Sequence, residues 1–202
     1  MTRKKLLIAT RNKGKIESIK IKLGNLPLDL LSFDDLPCFS PDFDIEEPAS
    51  TFEGNAIIKA IMAGNKAKCL TLSEDSGLEV DYLDGGPGVF TARYAQGTDK
   101  DRYNKLLKAM KDVPKSKRRA QFRAVITIYD PDTKKIRTCQ GICRGLITNK
   151  PVGHNGFGYD PVFYYPGLDK TIAQMTVHEK LSVDHRGQAM EIAKKILRQK
   201  FL

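Results

Sequence analysis

Residues 6–24, LLIATRNKGKIESIKIKLG, open on a short apolar, partly β-branched run that reads as a buried strand. Arg11-Asn12-Lys13-Gly14 makes a turn, after which Ile16, Ile19 and Leu23 recur at helical spacing and Gly24 supplies a stop. A strand, a glycine-containing turn and a helix in that order present backbone N–H groups and a helix N-terminus at the strand's end. That is a setting in which a chain can hold an anion.

The remainder of the chain sustains an α/β reading. Leu28, Leu30 and Leu31 suggest a second strand, and Thr51 is a plausible N-cap for a helix from Phe52 to about Lys68. Ile57, Ile58, Ile61 and Met62 are expected on that helix's apolar face. Leu78, Val80 and Tyr82 alternate with polar residues as a strand does, until Gly85-Gly86-Pro87-Gly88 breaks the chain. Residues 101–110 read as a helix, and the basic run Lys115-Ser116-Lys117-Arg118-Arg119 leads into FRAVITIYD (122–130), the strongest strand signal present. Asp130-Pro131-Asp132 turns that strand into residues 135–147, the expected hairpin partner. NKPVGHNGFGYDPVFYYPG (149–167) is loop-like and aromatic. The last helix is expected from about Gly187, with Ile192, Ile196 and Leu197 inward and lysines outward. With no repeat, linker or low-complexity tail, residues 1–202 read as one α/β domain lobed about a cleft.

The composition narrows the partners. In 202 residues, an apolar share of 41% and a charged share of 29% describe a globular chain. Lys plus Arg at 34 against Asp plus Glu at 24 leaves a formal charge of +10, which favours anionic ligands. No run approaches the roughly 18–20 apolar residues of a membrane span. The first apolar run ends at Ala9 without a cleavage site, shorter than the roughly 7–15-residue core of a secretory signal, so a cytoplasmic protein without a membrane partner is expected. The four cysteines, Cys38, Cys69, Cys139 and Cys143, show no CxxC spacing. Cys139 and Cys143 on one strand would stand about 13 Å apart, beyond the roughly 4.4–6.8 Å that a disulfide tolerates. His154, His178 and His185 lack companions at zinc-ligand spacing, and reduced thiols are expected.

The residues that could carry chemistry fall in separate stretches. No GxxxxGK[ST] or GxGxxG loop is present, so a phosphate site would need Thr10, Asn12, Lys13 and Lys15 of the first turn. The same residues also fit a solvated βα turn. Glu46-Glu47 and Glu74-Asp75 are acidic pairs whose hard oxygens suit Mg²⁺, or equally an ordinary acidic surface. Asp75 lies in SEDSG, where a Ser/Gly turn would expose its carboxylate at a strand mouth to orient an attacking water. Phe157, Tyr159, Phe163, Tyr164 and Tyr165 surround glycines in a pattern that suits a stacked base or a tight turn with core aromatics. Lys180, His185 and Arg186 could read the acceptors of a 6-oxopurine, or begin a solvated helix.

Taken together and in order, LLIATRNKGKIESI, TFEGNAIIKA, SEDSGLEVDYLDGGPGVFTARYA, GFGYDPVFYYP and DHRGQA resemble the Ham1/inosine triphosphate pyrophosphatase family over nearly the whole chain. The resemblance implies an elongated, two-lobed α/β fold with a long central mixed β-sheet flanked by helices and a cleft between the lobes, usually in a homodimer. It implies Mg²⁺-dependent hydrolysis of non-standard purine nucleoside triphosphates to monophosphate and pyrophosphate. Thr10, Arg11, Asn12, Lys13, Gly14 and Lys15 would be the phosphate loop, with Lys59 facing the phosphates. Asp75 would be catalytic base and metal ligand, Ser76 would touch substrate, and Glu47 or Glu46 would complete the metal site, Glu47 having the better spacing from Phe52. Phe157, Gly158, Tyr159 and Asp160 would line the base pocket, and Lys180, His185 and Arg186 would hold the base edge. Glu74 stands where the family commonly has Asp, Asp184 where it has Ser, and His154-Asn155-Gly156 where it has Thr-Gly-Gly; Asp184 bears on substrate preference. Two other functions compete: a broad or pyrimidine-directed pyrophosphatase, and a basic nucleic-acid binder, for which no binding motif is present.

Overall fold

The structure is a computed structural model that describes residues 3–202. Its strands are β1 (Lys4–Ile8), β2 (Leu28–Leu31), β3 (Leu70–Val80), β4 (Arg119–Asp130), β5 (Lys135–Ile147), β6 (Phe163–Tyr165) and β7 (Lys170–Thr171). Its α-helices are α1 (Lys13–Leu23), α2 (Phe52–Ala67), α3 (Asp99–Ala109), α4 (Val177–Val183) and α5 (His185–Lys200). The strands form one seven-stranded sheet in the order β2-β1-β3-β4-β5-β6-β7. β1 runs parallel to β2 and β3, whereas β6 is antiparallel to β5 and β7, so the sheet is mixed.

By internal contacts the chain divides into two compact units. The first comprises the residues up to Asp75, Ala124–Gly141 and Arg186–Leu202. Here the period-2 alternation of β1 sorts its side chains to opposite faces. Leu6 and Ile8 pack with Ile19 and Leu23 of α1 and with Ala189, Met190, Ala193 and Leu197 of α5. Leu7 and Ala9 pack with Ala63 of α2, Phe33 and Phe39. A strand covered on both faces needs apolar residues at every position, and hence its unbroken apolar run.

The second unit comprises Ser76–Arg123 and Ile142–His185. Leu78 and Val80 of β3, Leu106 and Met110 of α3, Phe122 of β4, Cys143 and Ile147 of β5, and Phe163 build its core. Arg118, one residue of the basic run, is buried rather than solvated. Its Nε donates to Ile147 O at 2.7 Å, Nη1 to Met110 O at 2.7 Å and Val113 O at 3.2 Å, and Nη2 to Thr148 O at 2.7 Å.

Several expectations are corrected. Lys13 and Gly14 belong to α1, not to a turn, because Asn12 Oδ1 accepts the Lys15 N–H at 3.0 Å and caps the helix earlier. SEDSG is no turn: β3 runs straight through it, with Glu74 and Asp75 buried. Tyr82 lies beyond β3 in a 3₁₀ turn and is exposed. α2 buries Phe52, Asn55, Ala56, Lys59, Ala60, Ala63 and Gly64, while Met62 is 49% exposed and the isoleucines are only half-buried. Close approach selects this small-residue face, since a Cβ on Gly64 would stand 2.8 Å from the Tyr129 ring. In α5, similarly, Ala189 and Ala193 face inward and Ile192 is 42% exposed. α5 begins at His185, preceded by α4, which the sequence reading did not separate.

Cys139 and Cys143 lie on β5 as expected, and the four thiols are free. Burial pushes Cys139 up to about 11 and Cys143 up to about 12, so both are inert at neutral pH. Among the described residues no helix is long and apolar enough to cross a membrane.

Arg118→Ala would take a donor from four carbonyls inside the second unit, and the expected loss is roughly 3–5 kcal/mol of unfolding free energy in chemical denaturation. Arg118→Lys should recover only part of it, because an ammonium lacks the planar fork.

Candidate active site

The polar residues of the first unit gather on the buried stretch of β3. α2 carries Asn55 and Lys59 on one inward face, one turn apart. Lys59 Nζ donates to Glu47 Oε1 at 2.5 Å, to Glu74 O at 2.9 Å and to Asp75 Oδ1 at 3.3 Å. Asn55 Nδ2 donates to Asp75 Oδ2 at 3.2 Å, and Asn55 Oδ1 accepts the Ala49 N–H at 2.9 Å, tying the segment after Glu47 to the helix. Glu74 receives the fork of Arg186, Nε to Oε2 at 2.8 Å and Nη2 to Oε1 at 3.0 Å, and Lys15 Nζ stands 3.5 Å from Oε1.

Burial governs the protonation here. It pushes Asp75 above the ordinary carboxylate range, opposed by the Lys59 and Lys15 charges. It lowers Lys15, opposed by Glu74 and reinforced by Lys59. Both groups are therefore easier to neutralise than in water, a common condition of acid–base and phosphate-handling side chains.

Glu47, rather than exposed Glu46, shares Lys59 with Asp75. Two carboxylates within reach of one ammonium are a donor set that a divalent cation can use. Among the described residues no group of three His, Cys, Asp or Glu side chains converges on a point. Thr10 Oγ1 accepts the Asn12 N–H at 3.2 Å, so both residues shape the start of α1. Arg11 turns elsewhere, to Asp34 Oδ1 at 2.9 Å, Ser40 O at 2.6 Å and Phe43 O at 3.0 Å. Lys13 is exposed and Gly14 half-buried at the first turn of α1.

In the second unit, Phe157, Gly158, Tyr159 and Asp160 form a tight turn. Asp160 Oδ2 accepts the Phe157 N–H at 2.9 Å and also the ammonium of Lys180, which lies 4.7 Å from the Phe157 ring centroid. Gly156 has φ +79°, and a Cβ there would run into the Asp160 carboxylate. Tyr159 is buried, its hydroxyl on Thr91 O at 3.0 Å and its phenol raised by burial, so it is a floor of the turn. His185 is buried and stacks on Phe122 with centroids 4.9 Å apart and planes 14° apart. Asp184 is buried beside them and ends α4, its N–H on Lys180 O at 2.8 Å. Ser76 is half-buried on β3.

Lys15, Lys59, Glu47 and Asp75 are thus brought together, as are Phe157, Asp160 and Lys180. Arg186 departs from its expected company with Lys180 and His185, because its guanidinium pairs with Glu74. Asn55, Phe122 and Asp99 were missed. Asn55 could have been found from its place four residues before Lys59 on one helix face.

A mixed α/β protein with a carboxylate–lysine cluster on β3 and a glycine-rich aromatic turn has known counterparts. The chain belongs to the Ham1 family, whose pattern it matches over residues 6–196. It is 40% identical over 200 residues to the dITP/XTP pyrophosphatase of Desulforamulus reducens, covering 98% of each chain. It is 43% identical over 196 residues to that of Geobacter sulfurreducens, covering 96% of each. Among solved structures, a HAM1 protein from Coxiella burnetii superposes with a TM-score of 0.88 at 36% identity, covering 97% of this chain and 99% of that one. The Staphylococcus aureus Ham1 protein superposes with a TM-score of 0.85 at 38% identity, covering 96% and 98%.

α4, which carries Lys180, should be acid-sensitive. Glu179 completes a capping box with Thr176 and pairs with Lys170 at 2.8 Å, contacts that pull its carboxyl from 4.5 to about 2. A depressed carboxyl contributes stability above its ordinary value and loses it as pH falls through the lowered one. Amide exchange in α4 should therefore accelerate as pH falls from 4.5 towards 2 relative to α3, and Glu179→Gln should remove that pH dependence.

Proposed function

We propose that this chain is a Mg²⁺-dependent pyrophosphatase that hydrolyses non-standard purine nucleoside triphosphates (ITP, dITP, XTP and dXTP) to the monophosphate and pyrophosphate. Its two units act as one domain, and its task is to cleanse the cytoplasmic nucleotide pool. The observation that carries the reading is the convergence of Glu47 and Asp75 on Lys59 beside the buried Glu74–Arg186 pair, in a chain of this family. The dITP/XTP pyrophosphatases related to it support the choice of substrate.

Glu47 and Asp75 would hold Mg²⁺, which when bound neutralises charge on the triphosphate. Lys15 and Lys59 are the cations for the phosphate oxygens, set by α1 and α2. Asp75 orients the attacking water towards the phosphate next to the sugar and accepts its proton. Burial that raises its carboxyl improves it as a base. The new P–O bond forms as the bond to the leaving pyrophosphate breaks. Arg186 and Glu74 keep this cluster in place, and Ser76 follows on β3 to touch the substrate.

Base recognition falls to the second unit. Phe157 offers a stacking face, and Lys180, held by Asp160, offers a donor to the 6-oxo group. His185 completes the edge, and Asp184 beside it tunes the local potential. Adenine carries an amino donor at that position and would set donor against the Lys180 ammonium, a mismatch that can discriminate by roughly 10⁴ or more. The protein acts as a homodimer and has no nucleic-acid partner.

Pyrophosphate release from ITP, dITP and XTP should exceed that from ATP and dUTP by orders of magnitude and should vanish in EDTA. Similar rates on all five, or full activity in EDTA, would sink the reading. Asp75→Asn should abolish turnover without lowering the thermal midpoint at neutral pH. A raised carboxyl contributes stability only while protonated, below its ordinary value of 3.8, and loses it as pH rises through the raised one. Ionised Asp75 therefore opposes folding at pH 7, and the amide removes that opposition while Lys59 keeps Glu47.

A further inference from the structure

Asp99, the first residue of α3, has no role in any of the chemistry above. Its Oδ2 accepts the Gly158 N–H at 2.7 Å, a bond between residues 59 apart in sequence. Its Oδ1 takes the guanidinium of Arg102 one turn along the helix, and Arg102 Nη1 donates to Gly97 O at 3.1 Å. Each carboxylate oxygen thus has a partner, and only one of the two is local.

An acidic residue at a helix start ordinarily serves the helix itself. In α3 that duty is already filled, since Thr98 and Asp101 form a capping box, with Asp101 Oδ2 accepting the Thr98 N–H at 2.7 Å. Asp99 is spare for α3 and is aimed at the aromatic turn. The turn needs an external hold. Gly156 and Gly158 have φ of +79° and +64°, and a Cβ on Gly158 would meet nothing within 4 Å, so glycine there serves backbone conformation rather than packing. Glycines impose little stiffness of their own. Asp160 holds the Phe157 N–H from within the turn, which sets its shape, and Asp99 holds the next N–H from α3, which sets its place.

We infer that Asp99 is a specificity-determining positioning residue: by anchoring Gly158 to α3 it fixes the Phe157 ring and the Lys180 ammonium that rides over it. The inference rests on the proposed reading of this turn as the base site. Lys180 and Phe157 both depend on Asp160 of the same turn, so a turn that drifts moves stacking face and donor together. Tyr159, fixed to Thr91 O, holds the underside independently, and loss of Asp99 loosens the turn without unfolding it.

The test compares nucleotide with tripolyphosphate, a base-free competitor, in Mg²⁺. Asp99→Ala should raise KM for ITP roughly tenfold, the scale of one lost hydrogen bond to a charged group. It should leave kcat within about twofold, the remaining loss being in binding rather than in the transition state. Its inhibition constant for tripolyphosphate should match that of the unaltered enzyme. Asp99→Asn keeps a carbonyl oxygen for Gly158 and should restore most of the KM. An unchanged KM, a parallel weakening of tripolyphosphate, or an Asn variant as impaired as Ala would each overturn the assignment. The comparison holds for any nucleotide the enzyme turns over, so absence of a 6-oxo preference in the unaltered enzyme overturns the substrate reading alone.

Discussion

Glu74 and Arg186 meet through two hydrogen bonds while both are almost wholly buried, and the arrangement of the first unit depends on that contact. A carboxylate placed in the middle of a covered strand costs several kcal/mol unless a cation and hydrogen bonds compensate it. β3 carries two in succession. Glu74 draws α5 through Arg186 and α1 through Lys15, while Asp75 draws α2 through Lys59 and Asn55. Each of these helices therefore has an apolar seat on the sheet and a charged tie to the same short stretch of strand. The apolar seat alone would tolerate sliding; the ties, bidentate in the case of Arg186, do not. The interactions that make a charged strand interior tolerable thus also hold Lys15, Lys59, Glu47 and Asp75 in fixed places.

The same contact changes the meaning of the net charge of +10. Lys15, Lys59 and Arg186 lie against Glu47, Glu74 and Asp75, so this cluster is close to balanced and contributes little to the excess. Nor is the basic run at 115–119 a uniform solvated face. Arg118 is committed to four carbonyls inside the second unit, and Arg119 stands 3.7 Å from Asp81. The excess lies outside this cluster, in exposed strand ends, turns and helix faces, α5 among them. A field of that kind raises the local concentration of any anion without selecting one. Selection has to come from the buried groups.

What could be read along the chain follows from which forces are local. The opening strand and helix, the Thr51 cap of α2 and the strands of the 119–147 hairpin rest on short-range pattern, and each stands within a few residues of its expected place. SEDSG was misread as a turn because its residues are poor strand formers. It is a strand because Arg186 arrives from 112 residues away to neutralise Glu74, which no local window contains. The inward faces of α2 and α5 were misread for a related reason. Pattern favours the bulkiest apolar residues, whereas the sheet selected alanine and glycine so that Lys59, Asn55 and Arg186 could reach β3. Resemblance to a family put Lys15, Lys59, Glu47 and Asp75 forward as candidates without indicating that Arg186 faces Glu74. The places where local rules fail are those at which charge is brought inside, as expected where function sets the requirement.

The two clusters use carboxylates in opposite ways. On β3 the carboxylates face cations, and their contribution lies in charge. In the aromatic turn Asp160 and Asp99 face backbone N–H groups, each with a cation as second partner, and their value lies in shape. A hydrogen bond to a backbone N–H fixes the course of the chain rather than a charge beside it. Under the proposed function, hydrolysis and base choice would rest on separate sets of residues, one in each unit. On that proposal, a change at Asp184, buried in the second unit, would bear on the choice among purines and leave the charged cluster on β3 as it is.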